Sequence, residues 1–197
     1  MKKLLFAMVM ACAGLGISAA EVSAQQNPMV GGAAMYRSKN IVENALNSQD
    51  HTTLVAAVKA AGLVETLAGK GPFTVFAPVN AAFDKLPAGT VETLLQPENK
   101  GTLTQILTYH VVPGRMDAKK IASAIRKGGG TATFKTVSGN TLTASMNGSV
   151  LVLRDERGGT SAVTIADVMQ SNGVIHVVDT VLMPGEKTMS GVMKKTM

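Results

Sequence analysis

The sequence predicts a single α+β domain with its helices concentrated ahead of its strands. Three observations carry that reading. Apolar residues up to about residue 127 recur at helical spacing, interrupted by two short β-prone runs. Beyond that point the chain breaks into five short β-type segments separated by glycine-containing turns. No self-similarity recurs at a fixed period. Helices first and strands last argue against a doubly wound βαβ sheet, and an ordered stretch of about 145 residues is long enough to bury some two-thirds of its unfolded surface.

Lys2 and Lys3, the apolar run from Leu4 to Ile17 and the small residues before Ala24 form a secretory leader, with cleavage expected after Ala24. The run is shorter than the roughly 18 to 20 residues that span a bilayer, and no other segment could span one. Cys12, in Val9-Met10-Ala11-Cys12, offers the weaker alternative of a lipid-anchored N-terminus; an ordinary leader cysteine is preferred because Lys3 stands close before it. A secreted or periplasmic destination follows. Cys12 is the single cysteine, so core packing alone must hold the fold. Residues 25–39, rich in Gln, Gly and Ala, are expected to be a flexible linker, the domain to occupy 40–184, and residues 185–197 to form a flexible tail.

Within the domain, Asn40 with Glu43 fits a capping box, and Ile41, Val42, Ala45 and Leu46 then share one helical face. Asp50 or Thr52 can cap a second helix whose stripe is Leu54, Val55, Val58 and Ala61, ended by Gly62. Phe73 to Ala77 reads as a buried strand stopped by Pro78, after which Asn80 can cap a short helix through Phe83 and Leu86. Thr90 to Leu95 and Gly101 to Thr108 carry helical patterns, Tyr109 to Val112 switches to strand character, and Asp117 caps a helix that Gly128-Gly129-Gly130 ends. The β segments are then 131–137, 141–145, 150–154, 162–166 and 174–179.

The search for chemistry is mostly negative. His51, His110 and His176 lack a second ligand at zinc spacing, so no metal is predicted. His110 and His176 read as imidazoles half-buried and hydrogen-bonded within the sheet, and His51 as facing water near a helix start. No Gly-x-Ser-x-Gly elbow and no phosphate loop is present, and Asp155-Glu156 reads as a solvated hairpin tip. The net charge of +6 stays positive without residues 1–24, but the cations are dispersed in pairs and aromatics make up only 4%, a poor nucleic-acid signature. A surface attracting anionic polymers or lipid heads is the modest alternative.

Three stretches, taken together, carry a family resemblance. They are Gly71-Pro72-Phe73-Thr74-Val75-Phe76-Ala77-Pro78-Val79-Asn80-Ala81-Ala82-Phe83, then Ile106-Leu107-Thr108-Tyr109-His110-Val111-Val112, then Asn172-Gly173-Val174-Ile175-His176-Val177-Val178-Asp179-Thr180-Val181-Leu182. In order and at these distances they resemble the first box, the Tyr-His segment and the final box of fasciclin domains, over nearly all of residues 40–184. The resemblance implies a fasciclin-type β-wedge with helices packed at one side, and a role in binding rather than catalysis. In animal members the Tyr-His segment and an Asp-Ile-Leu/Met triplet are linked to integrin binding. The positions that correspond are Tyr109 and His110, and Asp167-Val168-Met169, where Val replaces Ile.

Tyr109, His110, Asp167, Val168 and Met169 are therefore the candidate partner-binding residues, Asp167 foremost, although a bacterial-type leader argues against an integrin. Asp167→Ala is expected to weaken binding without changing the melting temperature, and His110→Ala mainly to lower stability. The function expected is an exported, monomeric, non-enzymatic module for cell adhesion or protein and matrix association at the cell envelope, with no cofactor. The alternative is a periplasmic carrier of a small apolar ligand or lipid.

Overall fold

The computed structural model describes residues 27–185; the expected leader, Cys12 and residues 186–197 lie outside the described residues. The first feature corrects an expectation. Residues 27–39 contain a small hairpin, β1 (Met29–Val30) with β2 (Ala33–Ala34), turning through Gly31 and Gly32 at φ 56° and 74°. Val30 and Met35, 3% and 2% exposed, are packed into the core, so this arm is part of the domain and not a linker. Two anchors in a Gly- and Ala-rich stretch leave no period for a sequence reading to detect. The arm is latched by the fully buried Asn44, whose Oδ1 accepts from Tyr36 N at 3.0 Å and whose Nδ2 donates to Tyr36 O at 2.7 Å and to Gln170 Oε1. Asn44→Ala is expected to cost about 2 kcal/mol, since it leaves several groups unpaired. Hydrogen exchange over residues 28–39 should accelerate more than exchange in the sheet.

α1 (Ile41–Ala45) starts with the predicted capping box: Glu43 N donates to Asn40 Oδ1 at 2.9 Å and Asn40 N to Glu43 Oε2 at 2.8 Å. The helix ends before Leu46, which turns outward and is 52% exposed instead of joining the buried stripe. A 3₁₀ turn (Gln49–His51) leads into α2 (Thr52–Ala61), which buries Leu54, Ala57, Val58 and Ala61 and stops at Gly62 with φ 74°. Neither Asp50 nor Thr52 caps it. Asn80, expected to cap the helix after it in sequence, reaches back instead: its Oδ1 accepts from Thr53 N at 3.1 Å and Thr52 Oγ1 at 3.2 Å, and its Nδ2 donates to Gln49 O. Asn80 is itself the first residue of α4 (Asn80–Phe83).

Between these lie α3 (Val64–Ala68) and β3 (Phe73–Pro78); then come α5 (Thr90–Leu95), α6 (Lys100–Tyr109), β4 (Val111–Pro113) and α7 (Ala118–Lys127). Asp117 caps α7 as predicted, accepting from Lys120 N at 2.7 Å. The strand half comprises β5 (Thr131–Lys135), β6 (Thr141–Asn147), β7 (Val150–Arg154), β8 (Thr160–Gln170) and β9 (Gly173–Val178).

Seven strands form one sheet in the order β4-β3-β9-β8-β7-β6-β5, with β3 and β9 parallel and the other neighbours antiparallel. The two edges nearly meet: Val137 N donates to Val111 O at 2.8 Å and Ser138 N to Thr108 O at 3.3 Å, which bends the sheet into a nearly closed wedge. This is the α+β wedge with helices beside it that the sequence reading predicts. β3 and β9 are buried on both faces because they stand between two cores. Val75, Ala77, Ile175 and Val177 face α1, α2, α3 and α6, and Phe76 and Val178 face the wedge interior with Tyr109, Leu142, Leu153 and the α7 residues Ile121 and Ile125.

Candidate functional site

The five candidate residues fall into two places. Tyr109 ends α6 and His110 follows as its C-terminal cap, so neither belongs to a strand. Both are buried, at 0% and 3% exposure. Tyr109 Oη donates to Thr141 O at 2.7 Å and accepts from Glu156 N at 3.3 Å, and burial pushes its phenol up to about 12. His110 Nδ1–H donates to Ile106 O at 2.9 Å, and Nε2 accepts from Leu182 N at 3.0 Å, with the two rings edge to face at 6.3 Å. Each polar atom is committed to backbone. The pair ties the end of α6 to β6 and to the segment after β9.

Asp167, Val168 and Met169 lie in β8, an eleven-residue strand that leaves β7 and bends onto β9 through two register shifts, between Val163 and Ile165 and between Ile165 and Val168. The second shift makes room for an extra residue, as a β-bulge does, and Asp167 takes it at φ 60°, the described non-glycine residue with positive φ. Asp167 is exposed, Met169 is partly exposed, and Val168 is fully buried in the helix-side core. Two bonds fix the bulge. Asp167 N donates to Nδ1 of the buried His176 at 3.3 Å, while His176 Nε2–H donates to Met116 O at 2.8 Å. Asp167 Oδ1 accepts from Ala118 N at 2.7 Å, serving the first turn of α7 beside Asp117. Asp167 has a structural duty, so the expectation that Asp167→Ala leaves the melting temperature unchanged does not fit this geometry.

Two other expectations are corrected. His51 does not face water: it is 3% exposed, shares a 2.8 Å hydrogen bond with Ser48 Oγ through Nδ1, and its Nε2 finds no hydrogen-bond partner. Asp155 and Glu156 are not a loose solvated pair. Asp155, 8% exposed, accepts from Arg157 N, Gly159 N and Met183 N, and Glu156 accepts from Asn140, Thr141 and Gly185. Burial raises the Glu156 carboxyl, but these hydrogen bonds outweigh it and hold the group below its ordinary range. Together with His110 they fasten residues 182–185 to the wedge.

Among the described residues no group of three or more His, Cys, Asp or Glu side chains is placed to hold a metal ion. No described helix is long and apolar enough to cross a membrane. An apolar cavity of about 70 Å³ lies between α1, α2 and the sheet, lined by residues including Ile41, Leu46, Leu54, Val58, Val75 and Ile175. A cleft of about 530 Å³ opens at the other end of β3, between the Gly69–Pro72 turn, Arg115, Ser171 and Asn172.

Known proteins place this architecture. The fasciclin domain profile matches residues 49–184. The protein sll1483 of Synechocystis sp. is 47% identical over 161 residues, covering 81% of this chain and 82% of its own. The cell surface glycolipoprotein MPB83 of Mycobacterium bovis is 34% identical over 176 residues, covering 86% of this chain and 72% of its own. Among solved structures, a FAS1 domain pair from the insect cell adhesion molecule fasciclin I superposes with a TM-score of 0.52 at 24% identity, over 66% of this chain and 43% of that one. With the three boxes lying where the wedge is built and the profile spanning most of the described residues, the chain belongs to the fasciclin domain family.

Proposed function

We propose that this protein is an exported, non-enzymatic binding module that mediates cell adhesion or protein and matrix association at the cell envelope, with Asp167 and Met169 in its contact surface. The observation that carries the reading is an exposed carboxylate held at positive φ on a doubly bulged strand, fixed from below by His176 and from the side by α7. A non-glycine residue in the left-handed region costs about 1 kcal/mol or more and persists where its surroundings over-determine it. Such an outward-held carboxylate is a rigid contact point that loses little entropy on binding. The cell-surface description of the relative MPB83 points the same way.

Within this reading Tyr109, His110 and Val168 hold the scaffold together and do not touch the partner, since their burial removes them from its reach. Catalysis is disfavoured because the Tyr109 hydroxyl and both nitrogens of His110 and His176 are engaged by backbone groups. The carrier alternative is disfavoured by size: about 70 Å³ is less than half of the roughly 150 Å³ that admits a benzene ring.

Asp167→Asn is the discriminating variant. Asparagine keeps the Oδ1 acceptor for Ala118 N and tolerates positive φ, but removes the charge. Asp167→Asn with Met169→Ala is expected to weaken association with an envelope fraction of the producing cell at least about tenfold, with the melting temperature within about 2 °C of the parent. Unchanged association contradicts the assignment.

A further inference from the structure

We propose that a second surface, a cationic stripe running from the cleft at Lys70 and Arg115 along the outer face of α7, binds an acidic polysaccharide. Charge along the chain is uneven. Between residues 115 and 135 stand Arg115, Lys119, Lys120, Arg126, Lys127 and Lys135 against Asp117 alone, whereas residues 41–100 hold six carboxylates against four lysines. The fold puts the basic group on one side. On α7, Ile121 and Ile125 are buried, and at 100° per residue Lys119, Lys120, Arg126 and Lys127 occupy the opposite, exposed face. The two pairs are seven residues apart, about 10 Å along the axis at 1.5 Å per residue. Lys135, also exposed, ends β5, which packs against α7.

The stripe continues into the cleft. Arg115 lines it and is held there by its own Nη2, which donates to Gln170 O at 3.1 Å and Ser171 O at 3.0 Å. Lys120 Nζ donates to Arg115 O at 3.1 Å, joining α7 to the cleft rim, and the exposed Lys70 lines the cleft as well. A guanidinium fixed by backbone carbonyls is oriented before any ligand arrives. Asp117 and Asp167 are the carboxylates at this end of α7, and each gives an oxygen to a backbone N–H of its first turn. They offset part of the positive field at one end and leave the rest of the helix cationic.

The chemistry selects the partner. Membrane insertion needs exposed apolar anchors, and the large exposed apolar residues among those described, Met29, Tyr36, Leu46, Val137, Met146 and Val150, lie neither on α7 nor in the cleft. Single-stranded nucleic acid needs aromatic platforms, and the stripe has none. The cleft wall is backbone, Asn40, Ser171, Asn172 and small residues, with no apolar pocket for a peptide side chain. Spaced cations beside polar hydrogen-bonding groups fit a linear chain of sugars bearing carboxylate or sulfate groups, bound by charge instead of ring stacking.

The test uses the purified chain with polygalacturonate and dextran sulfate as probes, neutral dextran as control, and vesicles containing anionic phospholipid as rival. Binding to both acidic glycans, absent for neutral dextran and weakened at least about tenfold between about 50 and 200 mM salt, is expected. Lys119→Glu with Lys127→Glu should weaken it at least about tenfold more than Lys59→Glu with Lys100→Glu, which makes the same net charge change on α2 and α6. Lys119 and Lys127 are exposed, and a circular dichroism melt confirms that the variant is folded. Equal losses in the two double variants, no glycan binding, or tighter binding to the vesicles would each overturn the proposal.

Discussion

His110→Ala is expected to lower the unfolding free energy by about 3 to 4 kcal/mol, a large part of the 5 to 15 kcal/mol that holds a domain together. The side chain is 3% exposed and uses both nitrogens, so its removal leaves Leu182 N–H and one bond of Ile106 O without a partner and opens a void beneath Tyr109. A buried unsatisfied donor costs about 1 to 3 kcal/mol, and the cavity adds to it. Urea denaturation of the parent and variant reads the difference directly. Tyr109→Phe, which keeps the ring and loses only its bonds to Thr141 O and Glu156 N, should cost about 1 to 2 kcal/mol. A His110→Ala chain as stable as the parent but deficient in binding would mean that the Tyr-His segment acts by contact and not by support.

Acid is expected to begin destabilising the protein before its carboxylates are protonated. Burial lowers the pKa of His51, His110 and His176 below the ordinary 6.5. In the folded chain His110 and His176 each accept a backbone N–H on one nitrogen, which a second ring proton would turn into a clash of donors. The unfolded chain then binds more protons than the folded one, so stability is full above about pH 6.5 and falls as pH drops from there toward the lower folded values. Each histidine that stays neutral while folded removes up to about 1.4 kcal/mol per pH unit in that window.

Glu156 and Asp179 extend the loss to lower pH. Burial raises both, but Glu156 is lowered more by its Thr141, Asn140 and Gly185 hydrogen bonds, and Asp179 by those from Ala162, Thr180 and Ser161 together with Lys85. Their stabilisation is present above the ordinary carboxylate range and disappears as pH falls through the folded values. At the alkaline end the sign reverses for Tyr109, whose raised value of about 12 gives stability that is lost as pH rises from about 10. Urea midpoints measured from about pH 7.5 down to 5 should fall steadily. A flat profile to pH 5 would show that the buried imidazoles protonate without cost.

How much of this was readable in the residues follows the range of the interactions. The Asn40–Glu43 box, the Asp117 cap and the Gly62 stop are local, and each appears as read. The boxes around β3 and β9 were legible as strands, but their burial on both faces depends on helices and wedge closing from opposite sides. Asn80 carried a correct polar signal with the wrong target, because its partners Thr53 and Gln49 lie about thirty residues upstream. His51 and the pair Asp155-Glu156 differ from the reading for the same reason: His51 is enclosed with Val30, Met35, Val168 and Ile175, and Asp155 and Glu156 bond Met183 and Gly185, all distant in sequence. Asp167 stood out by its neighbours in sequence, yet its positive φ is set by the register between β8 and β9, which no local pattern contains.

A photo-crosslinking amino acid placed at Met169, and in a second chain at the exposed Ala60 on α2, tests the central claim most directly when each protein is irradiated on intact producing cells. A discrete crosslinked partner at 169, absent at 60 and competed by unlabelled parent protein, is the predicted result. Crosslinking at 60 with none at 169 would contradict it.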